Sequence, residues 1–94
     1  MQKYFAELLA TFTLTFAVLS SVAVELAVPT PLLAALVVGV FVYTIGPISG
    51  AHINPAVTVA VWVLKKIDGR DAGLYIVAQV LGAAVAFGLA KLVF

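Results

Sequence analysis

The sequence contains no cysteine. A disulfide framework, a thiol nucleophile and a thiolate metal site are therefore excluded, and cysteine usage says nothing about redox compartment. Charge is nearly as scarce. Lys, Arg, Asp and Glu make up 10% of the 94 residues, and the net charge is +1. So thin and balanced a charge excludes a nucleic-acid partner, which needs a basic face. The single histidine, His52, has no carboxylate or second ligand beside it in the sequence, so no metal site is indicated. Ser20 and Ser21 have no adjacent base and are not nucleophiles. No pair of groups in the apolar stretches is placed for acid–base work, so neither an enzyme nor a cofactor is implied.

What is present is apolar. Hydrophobic residues make up 65% of the chain, and the mean hydropathy is +1.26. A soluble domain of this length needs a polar surface that such a composition cannot supply. The fold class expected is an all-α membrane protein, with the lipid bilayer as its first partner. Residues 4–26 form a run of about 23 residues, enough to cross a hydrocarbon core of ~30 Å. This run is longer than a signal-peptide core and no small-residue cleavage pattern follows it, so it reads as a retained span. Glu25 to Pro31 is a turn, because proline restricts itself and the residue before it. Residues 31–45 form a second, shorter span. Residues 72–94 form a third, with Gln79 inside it and Lys91 near its end. The polar loop 65–71 precedes it.

Between the second and third spans lies "SGAHINPAVT", residues 49–58. A Gly, a His, an Asn and a Pro interrupt the apolar chain within six positions. Asn54 is a favourable N-cap and Pro55 is favoured at the first helical position. The helix that follows to Leu64 is about 16 Å long, roughly half of a ~30 Å core. It cannot span. It can start at the midplane and reach the surface at Lys65 and Lys66. Irregular backbone at that depth is tolerated only where protein or a water-filled cavity surrounds it. Residues 46–64 are therefore read as a re-entrant loop and half-helix, and residues 1–94 as one domain.

Single polar residues carry competing readings. Asn54 is either a helix cap or a pore group. His52 either holds the loop backbone or gates by protonation. Trp62, Tyr4 and Tyr75 lie near the span ends and read as interfacial anchors. Small residues recur every fourth position, as Ala78, Gly82, Ala86 and Ala90, and as the pairs Ala6–Ala10 and Ala17–Ser21. That spacing suits close helix packing in a membrane.

"SGAHINPAVT" resembles the first-half signature of the aquaporin (major intrinsic protein) family, around its Asn-Pro-Ala motif. "AELLATFTLTF" (6–16) is similar to that family's first helix and "YIVAQVLGAAVA" (75–86) to its third. The resemblance covers nearly the whole chain. It implies a pore centred on Asn54, Pro55 and Ala56, with the carbonyls of Gly50, Ala51, His52 and Ile53 as a ladder of acceptors. It implies that Glu7 braces the re-entrant loop by accepting its N–H groups, and that Gln79 braces it too. By alignment, Ala34 stands where a bulky aromatic often narrows the channel, and Val57 where the second half usually carries Arg. These changes imply a wider, less polar constriction for water, with glycerol or other small neutral solutes as further candidates.

The family usually carries two such halves, inverted relative to each other; this sequence shows one, with no second motif. Inverted pairing about a midplane site is a common transporter solution. Two copies in opposite orientations, an antiparallel homodimer, complete six spans and pair the two motifs; four such dimers follow the family's assembly. Topology pulls the other way. Lys3, Lys65, Lys66 and Arg70 fall on one side and Lys91 on the other, which places the N-terminus and loop 65–71 in the cytoplasm. That bias favours a separate second-half partner, or a longer channel beyond "GLAKLVF". A non-conducting assembly, plugged by Phe41 and Tyr43, is the competing class. The short loops suit a microbial inner membrane.

Overall fold

The computed structural model describes residues 1–94 and is entirely helical. α1 spans Gln2–Val24, α2 Thr30–Ser49, α3 Pro55–Val63 and α4 Gly69–Val93. α1, α2 and α4 are each long and apolar enough to cross a membrane. α3 has 9 residues, about 14 Å at 1.5 Å per residue, and does not.

The termini of the helices follow local chemistry. α1 ends at Glu25, which takes a left-handed conformation with φ 51°. Pro29 and Pro31 flank the first residue of α2, where missing N–H groups cost nothing. Ser21 and Thr30 hydrogen-bond across this turn through their hydroxyls. Asn54 caps α3 by accepting the Ala56 N–H at 2.8 Å. Asp68 caps α4 by accepting the Asp71 N–H at 2.7 Å.

One expected boundary moves. α2 does not stop at Ile45; it runs through Gly46 and Pro47 to Ser49. Gly46 has no Cβ to clash with the following proline ring, so it can stay helical. The backbone pattern resumes beyond the proline, where the Gly50 N–H donates to the Gly46 carbonyl at 2.8 Å. The irregular segment therefore shrinks from 46–53 to 50–54.

α1 and α4 run parallel. Lys3 meets Asp71, Glu7 meets Gln79, and Phe16 meets Phe94. Ala6, Ala10, Ala78, Gly82 and Ala86 are all buried or line this seam. A Cβ on Gly82 would overlap the Leu8 carbonyl oxygen and sit 3.0 Å from the Phe12 nitrogen. The absence of that Cβ is what lets the two backbones touch. Between helices in lipid, such close van der Waals contact replaces the hydrophobic drive available in water. α2 packs on α1 and α3 packs on α4, while α2 and α3 do not meet.

Candidate functional site

The site is built around one acid. Glu7 lies on α1 and is fully buried. Its Oε2 accepts the Ser49 hydroxyl at 2.7 Å and the His52 N–H at 3.0 Å. Its Oε1 accepts the Ile53 N–H at 2.8 Å and the Gln79 side-chain amide at 2.9 Å. Every contact uses the carboxylate as acceptor, which matches the four sites its two oxygens offer. An isolated carboxylate at this depth is expensive; four converging donors offset that cost.

The loop is shaped to supply those donors. Gly50, Ala51 and Ile53 have φ of 89°, 52° and 58°. Successive turns of this kind aim neighbouring N–H groups at one anion. For Ile53 the left-handed region is strained, because its side chain is β-branched. Burial holds it there: Ile53 packs with Ala6, Ala10, Ile45 and Ala51 in one cluster. The Ser49 hydroxyl adds a second tie by accepting the Ala51 N–H at 3.1 Å.

With the N–H groups turned inward, the carbonyls of Gly50, Ala51, His52 and Ile53 accept no hydrogen bond from the protein. Gly50 is exposed and His52 half-buried, whereas Ala51 and Ile53 are buried. The loop thus spends the His52 and Ile53 N–H groups on Glu7 and leaves these carbonyls without a protein donor.

A second layer fixes the ring of His52. Gln79 Nε2 also donates to the Thr58 hydroxyl at 3.0 Å. Thr58 Oγ1 lies 2.9 Å from His52 Nδ1. Thr58 thus ties Gln79 to the His52 ring through a single hydroxyl. The Tyr75 ring packs on the His52 ring at 4.9 Å. Its hydroxyl donates to the Ser49 carbonyl at 2.7 Å.

Glu7, His52, Ile53 and Gln79 thus meet through direct hydrogen bonds. Asn54 and Ala56 are exposed, Pro55 is half-buried, and Val57 is exposed at the outer side of the first turn of α3. With its Oδ1 engaged as cap, the Asn54 amide nitrogen keeps both donors for an outside acceptor. Ala34 is half-buried on α2, and since α2 and α3 do not meet, the chain does not bring Ala34 and Val57 together. Tyr75 is a correction. It is buried to 3% exposure beneath the loop rather than anchored at an interface. Sequence reasoning also passed over Ser49 and Thr58. The available signal for Tyr75 was its spacing, one helical turn before Gln79 on the same face.

The match to a family model described as Major intrinsic protein covers residues 1–94. The chain is 43% identical over 95 residues to "Glycerol uptake facilitator protein-like 6" of Lactiplantibacillus plantarum, covering 97% of this chain and 43% of that protein. It is 40% identical over 101 residues to "Aquaporin NIP3-1" of Arabidopsis thaliana, covering 100% of this chain and 31% of that protein. Over 45 residues it is 60% identical to "Aquaporin AqpM" of Methanothermobacter thermautotrophicus, with 48% of this chain and 18% of that protein aligned. The chain therefore spans less than half the length of these relatives.

Proposed function

Because the chain belongs to the major intrinsic protein family, we propose that this integral membrane protein forms half of a passive pore for water and other small neutral solutes. One observation carries the reading. The free donors of Asn54 stand beside a row of backbone carbonyls that no protein group engages. Such a wall offers a small uncharged molecule acceptors along its path and donors at one point.

Charge exclusion follows from the same geometry. The N-terminal end of α3 carries about half a positive charge from its aligned peptides. At the midplane that field disfavours cations and protons while leaving neutral solutes unaffected. Val57 and Ala34 present small apolar side chains where a narrower, charged filter would reject larger solutes. The name of the Lactiplantibacillus plantarum relative supports admitting solutes of glycerol size.

The second half of the pore comes from an inverted copy, with the two Asn54-Pro55-Ala56 ends facing across a twofold axis in the membrane plane. The open side between α2 and α3, where Tyr43, Val57 and Ala56 are exposed, supports this. A second reading rests on charge. The Lys3–Asp71 contact gathers Lys3 to the end that holds Arg70, so that four of the five cations crowd one end. This asymmetry favours a single orientation, and then a different half with the opposite bias completes the pore.

The test is osmotic shrinkage of liposomes containing only this chain, followed by stopped-flow light scattering. Shrinkage faster than empty liposomes is expected. Asn54→Asp keeps the cap but replaces the donor with a charge, and removes most of the gain. No gain from folded protein inserted in both orientations would overturn the inverted-copy reading in favour of a distinct second half.

A further inference from the structure

On the outer side of the α1–α4 seam runs a groove of about 440 Å³. Its walls are Tyr4 and Leu8 of α1 and Leu74, Val77 and Leu81 of α4, and Arg70 stands at one end. Arg70 is the only charged side chain among those that line it, and Met1, which carries the N-terminal ammonium, lines it as well.

The charges around Arg70 are accounted for one by one. Asp71 is taken: Lys3 Nζ donates to its Oδ2 at 2.7 Å, and the Tyr4 hydroxyl to its Oδ1 at 2.5 Å. Asp68 is turned into the N-terminus of α4 as its cap. No carboxylate pairs with Arg70; the Lys3–Asp71 contact is the sole ion pair in the chain. An exposed guanidinium with its donors free thus heads an otherwise apolar channel.

The length is informative. Arg70, Leu74, Val77 and Leu81 are spaced by four, three and four residues along α4, and this stripe is about 16 Å long. That is close to half of a ~30 Å hydrocarbon core, the depth of one leaflet. A cation at the level of the headgroups, with one leaflet's depth of apolar groove below it, complements an anionic glycerophospholipid. Basic pockets between membrane helices recognise such headgroups.

We propose that the α1–α4 groove binds one anionic phospholipid, its phosphate on Arg70 and an acyl chain along Leu8, Leu74, Val77 and Leu81. The site lies on the opposite side of α1 and α4 from the exposed face of α3, and the proposal does not depend on the pore.

Native mass spectrometry of the purified chain tests it, with phosphatidylglycerol and phosphatidylcholine of identical acyl chains as probes. The wild type is expected to retain one phosphatidylglycerol in preference to phosphatidylcholine. Arg70→Gln weakens that first binding event about fivefold and abolishes the preference. Lys66→Gln removes an exposed cation outside the groove and leaves it intact. Val77→Trp fills the groove from an exposed position and lowers retention of both lipids. Equal retention of the two lipids by the wild type would overturn the proposal. So would equal weakening by Arg70→Gln and Lys66→Gln, the signature of diffuse charge. A second copy of the chain displacing lipid from the groove would do so as well.

Discussion

Glu7 accepts the backbone N–H of Ile53 at 2.8 Å, and Ile53 makes that bond from a left-handed conformation with φ 58°. An acid buried on one helix and a strained β-branched residue in a loop hold each other in place. The acid is tolerated because the loop presents N–H groups to it. The strain persists because the acid and the apolar cluster both reward it.

Removing the acceptor tests the first half of that statement. Glu7→Gln keeps the size but turns one oxygen into a donor facing donors. Buried N–H groups of His52 or Ile53 lose their partner, and each loss of this kind costs about 1–3 kcal/mol. A drop of that size in unfolding free energy is expected, read by denaturation in mixed detergent micelles.

Two glycine substitutions test the second half with opposite balances. Ala51→Gly relieves about 1 kcal/mol of left-handed strain and loses about 0.8 kcal/mol of buried methyl, so stability stays near the wild type. Ile53→Gly relieves a similar strain but empties a buried site, a loss of about 2–5 kcal/mol. It should destabilise clearly. If Ile53→Gly were the more stable of the two, burial would not be what holds the loop.

Gly82 offers a sharper contrast. Gly82→Ala drives a Cβ into the Leu8 carbonyl, which is backbone and cannot swing away. The seam must open, at about 1–3 kcal/mol. Gly73→Ala and Gly88→Ala meet nothing within 4 Å, and gain about 0.5–1 kcal/mol from helix propensity. The order of melting temperatures should be Gly88→Ala and Gly73→Ala above wild type, and Gly82→Ala below.

Thr58→Val separates bracing from packing. The shapes match, but Gln79 Nε2 and His52 Nδ1 lose their shared partner. A loss of about 1–2 kcal/mol is expected, together with a shift of the His52 ring resonances by NMR. Val57→Thr, on the exposed side of the same helix, changes neither.

The sequence made most of this architecture readable, for reasons that also explain what it hid. Long apolar runs gave the three spanning helices, and Asn54-Pro55 gave the start of α3, because capping chemistry is local. Glu7 and Gln79 stood out as polar groups in apolar surroundings, though nothing local says that they meet. The end of α2 was misread because Gly46 and Pro47 are breakers in isolation. Here the turn beyond them is held from outside by the Ser49–Glu7 bond. Ser49 and Thr58 were not distinguishable from Thr13, Ser20 and Thr44, whose hydroxyls bond back to their own helix. Tyr75 was misplaced because position near a helix end suggested an interface, whereas its face of α4 points under the loop.

The central claim is that two Asn54-Pro55-Ala56 ends meet head to head. The chain has no cysteine, so one introduced thiol can pair only with another copy. Mild oxidation of Ala56→Cys in liposomes measures the meeting directly, since a disulfide needs Cα atoms within about 7 Å. The account predicts a linked dimer from Ala56→Cys and none from Lys91→Cys, which an inverted pair holds on opposite sides of the membrane. Linkage at Lys91 and none at Ala56 would contradict it.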